Sequence, residues 1–272
     1  MSRMFGRSVL TAVLVLVSMA IAPTSWADTS GRDLTVATYN IHHGAGADEV
    51  LDLERIARVV KDTGADVVGL QEVDRYWSSR SNFVDQANWL AERLDMHVAY
   101  GANLDLEPAQ AGDPRRQYGT AILSRFPILD SHNTLLPRPE QGEQRGLLEA
   151  NIKVRGTTMR FLNTHLQHNS QTERLAQVDT INDIVDDSDR PTVLVGDLNA
   201  TPDTPEIATV TKHLDDTWLA AGRGDGFTHD ALNPHLRIDY VLASPGIDAH
   251  RARVLTTDAS DHLPVSVDIT LP

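Results

Sequence analysis

The chain has 272 residues, 41% of them hydrophobic and 23% charged, which excludes a mostly disordered protein. It contains no cysteine, which excludes disulfides, thiol catalysis and cysteine–zinc sites and leaves a large apolar core to hold the fold. The formal net charge of −14 gives no counterion-release affinity for DNA and weighs against a non-specific nuclease.

The first 27 residues read as a signal peptide. Arg3 and Arg7 form a basic start, an apolar run follows from Val9 to Ile21, and Ser25 and Ala27 stand at −3 and −1 of a cleavage site. The run is too short to span a bilayer comfortably, and no second one follows, so no transmembrane segment is expected after cleavage. Residues 28–33 are a lead-in, and 34–272 form one domain without repeats or linkers. Loss of Arg3 and Arg7 takes the net charge to about −16. The expected location is secreted, periplasmic or cell-envelope, and the expected state is a monomer.

Leu34–Tyr39 reads as a strand that enters a polar turn at Asn40–Gly46. Asp52–Thr63 carries Leu53, Ile56, Val59 and Val60 on one helical face, and Gly64 stops it. Asp66–Leu70 is a buried strand, with Glu72 just past its end. Asp85–Leu94 is a helix with Ala87, Leu90, Ala91 and Leu94 inward. Strand-like runs follow at Met96–Tyr100, Thr120–Leu123, Gly146–Val154 and Thr158–Asn163. A helix covers Thr172–Val185, Thr192–Val195 is a strand, and Pro205–Thr211 is a short helix. Arg237–Leu242 and Leu263–Ile269 are the last strands. The pattern suggests an α/β (α+β) domain of two mostly antiparallel sheets between helices.

Polar clusters fall at or beside strand ends: Asn40, Glu72, His165, Asp197 with Asn199, and Asp261 with His262. A rigid sheet can bring such distant groups together. Each also has a plain structural reading. Glu72 suits a loop carboxylate, Gly196–Asn199 a turn, and Ser260–His262 a cap.

Together they form an ordered set: Thr38-Tyr39-Asn40, Gln71-Glu72-Val73-Asp74, Tyr118 to Arg125, Asn163-Thr164-His165, Gly196-Asp197-Leu198-Asn199, Arg237-Ile238-Asp239-Tyr240 and Ser260-Asp261-His262. The chain resembles the endonuclease/exonuclease/phosphatase superfamily from about Leu34 to Ile269. That resemblance implies a DNase I-like four-layer sandwich and a metal-dependent phosphoric ester hydrolase. Hydrolysis of a phosphate ester needs a cation to neutralise phosphoryl charge and a positioned water. Oxygen donors such as Glu72 suit Mg²⁺, with Mn²⁺ as a substitute. The resemblance adds Asn40 and Asp261 to the metal site.

His262 is expected as general base, oriented by Asp239. The resemblance gives Asp197 and Asn199 the attacking water and a phosphoryl oxygen, and leaves open whether Asp197 or His262 takes the proton. His165 would donate to the phosphate or assist the leaving oxygen. His42 with His43, and His165 with His168, lack a third zinc ligand at a recognised spacing. Adjacent side chains on an extended segment diverge, so His42 and His43 are not expected to bind one ion.

Arg75, Arg80, Arg115, Arg116 and Arg145 are able to grip a phosphate, although a solvated arginine is the commoner case. Arg116, Tyr118 and Arg145 are the substrate-contact candidates, and Tyr76 and Trp77 could stack on a ring. Thr38–Arg145 looks similar to small exported bacterial members and to the hydrolase-like domain of eukaryotic GPI-lipid remodelling proteins. The expected substrate is a small or lipid-head-group-like phosphodiester or phosphomonoester. Secreted nuclease action on nucleic acid is the alternative, and a non-catalytic binding module a remote one.

Overall fold

In the computed structural model, which describes Met1 and residues 32–272, the chain begins with β1 (Asp33–Asn40), α1 (Leu53–Thr63), β2 (Val67–Arg75), α2 (Gln86–Leu94), β3 (His97–Leu106) and β4 (Arg116–Ser124). It continues through β5 (Ile128–Leu135), β6 (Gly146–Val154), β7 (Thr157–His165), α3 (Gln171–Asp186), β8 (Thr192–Asp197) and α4 (Pro205–Val210). Last come β9 (Asp215–Asp216), α5 (Thr217–Ala221), β10 (Asp239–Ala243), β11 (Asp248–Val254) and β12 (Val265–Thr270). The expected signal peptide falls outside the described residues except for Met1. Among the described residues, no helix is long and apolar enough to cross a membrane.

Local chemistry sets the helix limits. The Asp52 side chain accepts the Arg55 N–H and so caps α1, while Gly64 ends it at φ 72°. Ile56, Val59 and Val60 fill the buried face of that helix, as their spacing predicts.

The strands form two six-stranded sheets, ordered β11-β12-β1-β2-β4-β3 and β5-β6-β7-β8-β10-β9. Most neighbours are antiparallel. The exceptions, β1 with β2 and β7 with β8, are parallel pairs joined through α1 and α3. A parallel pair ends both strands at the same edge. Asn40 therefore pairs with Gln71, beside Glu72, and His165 pairs with Asp197.

Apolar packing makes four layers. Val36, Val67, Ile122, Leu148, Phe161, Val195 and Val267 fill the space between the sheets. α1 and α2 cover the outer face of the first sheet through Ile56, Val60 and Leu90. On the far side, Val178, Ile181 and Ile207 of α3 and α4 cover the second sheet.

A polar link crosses the interior. Fully buried Asn163 on β7 donates to Leu70 O at 2.9 Å and Ala121 O at 2.8 Å, both on the opposite sheet. Its own Oδ1 accepts from Gln71 Nε2 at 2.7 Å. Gly69 makes room for this contact, because a Cβ there would lie 2.4 Å from Val195 Cγ2 and 2.9 Å from Asn163 Cγ.

The sequence reading missed β5, β9, β11 and α5. β5 and β11 lie at sheet edges, and most of their side chains are exposed or half-buried. They therefore lack the alternation that marks a half-buried strand. β9 and α5 have two and five residues, too short to show a period.

Candidate active site

The site lies where the two parallel pairs end. Two local irregularities shape it. β2 changes register between Leu70 and Val73, and Glu72 within that bulge has φ 58°. Asn199, just beyond β8, has φ 48°, and its backbone N–H donates to Asp197 Oδ1 at 2.9 Å. Gly196 has φ 156°, and a Cβ there would meet Thr164 O at 2.1 Å. Only glycine lets β8 approach β7 so closely at this point.

Asp197 is 1% exposed and sits among donors from both sheets. Asn40 Nδ2 donates to Asp197 Oδ2 at 3.1 Å and to Glu72 Oε1 at 3.1 Å. The Nε2 atoms of His165 and His262 lie 3.5 Å and 3.6 Å from the same Asp197 oxygen. Behind His262, Asp239 Oδ2 lies 2.8 Å from Nδ1. Ser260 Oγ donates to Asn40 O at 2.8 Å and lies 3.2 Å from Asp261 Oδ1, tying the loop before β12 to the end of β1.

Electrostatics separates these groups. Burial lifts the Asp197 carboxyl to about 7, with Asp239 adding to the rise and His262 opposing it. Burial also pushes His262 down, yet Asp239 and Asp197 outweigh it and raise the imidazole to about 10. His165 is held well below the ordinary histidine value by burial and by the charge of Arg145. The site thus holds one imidazole charged, another neutral, and a carboxyl that titrates near neutrality.

Among the expected cation ligands, Glu72 and Asp261 present carboxylates at the site. Asn40 is placed differently, because its Oδ1 accepts the His42 N–H at 3.1 Å and its NH₂ faces the two carboxylates. As placed, it orients Glu72 and Asp197 through its NH₂ and turns its oxygen toward the backbone of His42. The donor chemistry still fits a hard divalent ion. Asp261, His262 and His229 bring ligand atoms within 4.8 Å of one another, as do Asp197, Asp239 and His262. Asp197, Asp239 and Asp261 thus lie around His262, and Glu72, outside both ligand groups, is joined to Asp197 through the Asn40 NH₂, so the acids outnumber the cation among them.

His42 and His43 correct an expectation. They lie in a 3₁₀ turn, not on an extended segment, and both have positive φ. Their rings consequently meet edge to face at 4.5 Å. Neither belongs to the two ligand groups found among the described residues.

Most of the arginines expected at the substrate are already paired. Arg75 meets Asp85 at 2.8 Å, Arg80 meets Asp74 at 2.7 Å, and Arg115 meets Glu107 at 2.6 Å. Arg145 is only 3% exposed and binds Glu143 at 2.7 Å, so it is no free phosphate grip. Arg116 Nε donates to Glu107 O at 2.8 Å. Tyr118 is buried, with Trp77 at 5.8 Å and the Arg80 guanidinium 5.4 Å from its ring centre. Sequence reasoning missed His229, whose ring packs 4.7 Å from that of His262. No spacing rule marked it, since Thr228 and Asp230 read as ordinary loop residues.

Comparison with known proteins agrees with this architecture. A structure from Beutenbergia cavernae, described as an endonuclease/exonuclease/phosphatase, superposes with TM-score 0.72 and 29% identity, covering 88% of this chain and 72% of that one. The mannosyl-6-phosphatase of Bacteroides thetaiotaomicron shares the fold, with TM-score 0.70 and 21% identity, covering 87% of this chain and 99% of that one. Protein cwh43 of Schizosaccharomyces pombe is 32% identical over 163 residues, which are 60% of this chain and 16% of that much longer protein. A sequence model of the Endonuclease/Exonuclease/phosphatase family, whose members are phosphoesterases, matches residues 37–262. A match that runs from β1 to His262, through every cluster just described, places this chain in the Endonuclease/Exonuclease/phosphatase family.

Proposed function

We propose that the chain is an exported, Mg²⁺-dependent hydrolase of a small or lipid-head-group-like phosphodiester or phosphomonoester, acting by in-line attack of water. The observation that carries this reading is the surround of Asp197 Oδ2, with Asn40 at 3.1 Å, His165 at 3.5 Å and His262 at 3.6 Å. Burial outweighs these donors and keeps the carboxylate basic enough to take a proton from water, while the same donors can bind phosphoryl oxygens.

Glu72 and Asp261 would hold the cation, with Asn40 setting the position of Glu72 and Mn²⁺ able to substitute. When bound, the cation neutralises phosphoryl charge and stabilises the leaving oxygen. Asp197 takes the proton of the attacking water at Oδ2. His262, kept charged by Asp239, donates through Nε2 to the phosphoryl group, which revises its expected role as base. Asn199 is fixed by its Nδ2 donating to Leu166 O at 3.0 Å, and its Oδ1 helps place the water. Tyr118 and Arg116 would contact the ester beyond the phosphate.

The name of the mannosyl-6-phosphatase supports a sugar phosphomonoester as one substrate class. The resemblance to GPI-lipid remodelling domains supports a lipid head group as another. The acidic surface, at net charge −14, opposes the nuclease alternative.

Purified protein with Mg²⁺ or Mn²⁺ should be screened against bis-p-nitrophenyl phosphate, sugar phosphates, inositol phosphates, phospholipids and plasmid DNA. We expect turnover of a small ester, no nicking, and loss of activity in a folded Glu72→Ala variant. Unchanged activity in that variant would remove the proposed site. For export, the protein recovered outside the cytoplasm should begin at Asp28, and retention of residues 1–27 on that protein would contradict cleavage.

A further inference from the structure

Arg145 stands immediately before β6 and is nearly fully buried, despite a charge it cannot lose. Its Nη1 lies 3.2 Å from His165 Nδ1, and its Nη2 lies 3.3 Å from His168 Nδ1. A guanidinium carries only donors. Each ring nitrogen at that distance must therefore accept, so both imidazoles turn an Nδ1 lone pair toward Arg145. A neutral ring with a bare Nδ1 keeps its proton on Nε2. A doubly protonated ring would set donor against donor and cation against cation. In His165 that Nε2 is the atom 3.5 Å from Asp197 Oδ2.

We propose that Arg145 is a positioning residue that locks His165 as a neutral Nε2–H donor aimed into the site, with His168 held in the same tautomer at its rim. The role this gives His165 in hydrolysis rests on the proposed function, whereas the tautomer itself does not. Locked this way, His165 gives a hydrogen bond to a phosphoryl or leaving-group oxygen. It cannot accept a proton at Nε2, and releasing its single proton would leave an imidazolate, too basic to form near neutrality. Under this lock, His165 donates a hydrogen bond to the phosphate or to the leaving oxygen and does not hand over its proton.

This arrangement also explains why a buried arginine is tolerated next to two histidines. Glu143 balances its charge at 2.7 Å from Nη1, the nitrogen whose other N–H faces His165. Burying an unpaired guanidinium would be costly. Nη1 and Nη2 are thus committed to Glu143 and the two rings, and only the buried Nε has no partner among the described residues.

Long-range ¹H–¹⁵N correlation on the intact labelled protein reads which ring nitrogen carries the proton, and it needs no substrate. The expected His165 signature is a bare Nδ1 and a protonated Nε2. Arg145→Met should yield mixed tautomers and lower kcat roughly 10- to 100-fold with little change in KM. Arg145→Gln keeps an NH₂ donor group and should restore the Nε2–H tautomer and part of kcat. A protonated Nδ1 in the wild-type protein would overturn the lock, even if the Met variant fails to fold. So would a folded Met variant with unchanged tautomer and kcat. The expected tautomer in a wild-type protein that hydrolyses no phosphate ester would support the lock and count against the hydrolase reading alone.

Discussion

Two residues with opposite charge requirements govern the chemistry proposed for this site. Asp197 must be ionised to take a proton, and its carboxyl is raised by burial to about 7. His262 must stay charged to donate to the phosphoryl group, and Asp239 and Asp197 hold it at about 10 against the effect of burial. Activity should therefore rise with pH as Asp197 loses its proton and fall as His262 loses its own, giving a bell-shaped profile. A bound cation moves the rising limb to lower pH, because it favours the carboxylate. Asp239→Asn removes the carboxylate 2.8 Å from His262 Nδ1, so the falling limb should move toward neutrality. A kcat/KM profile of that variant with an unshifted alkaline limb would show that His262 is not the group that titrates there.

The two βαβ units are the elements that build the site. Each places two polar groups at one sheet edge, Asn40 beside the β2 bulge and His165 beside Asp197. Between them, the Asn163 link and Gly69 set the spacing of the sheets. Gly69→Ala drives a methyl against Val195 and Asn163 and should destabilise the fold by about 1–3 kcal/mol. Thermal unfolding measures this, and a Tm equal to wild type would mean the sheets have slack at that point. Much of this framework is legible in the sequence, since α1 announces itself by Asp52, its apolar face and Gly64. The order of the motifs likewise pointed to the groups that meet at Asp197. What stayed hidden depends on tertiary contact. Arg145 reads as a phosphate grip until its burial and its partners are seen, and His42 and His43 diverge only if their segment is extended. The edge strands β5 and β11 stayed invisible because exposure removes the apolar alternation that marks a strand.

At the scale of the whole molecule, the site draws on both sheets and on the return of the chain. Asn40 and Glu72 come from the first sheet, His165, Asp197 and Asp239 from the second, and His262 from the segment before β12. β12 then pairs with β1, back in the first sheet. Loss of sheet packing should therefore abolish activity without a partly active intermediate. In a urea series, residual hydrolysis and the near-ultraviolet circular dichroism signal should fall together. Hydrolysis that outlasted the tertiary signal would mean that one sheet suffices. The same return path has a consequence for biosynthesis. β1 and β2 are synthesised well before their partners, so the site lacks His262, and β1 lacks its β12 neighbour, until the chain has been made through Thr270. A chain that stops before His262 therefore lacks both that imidazole beside Asp197 and the strand that pairs with β1, and the site is complete only when the β11–β12 hairpin clasps β1.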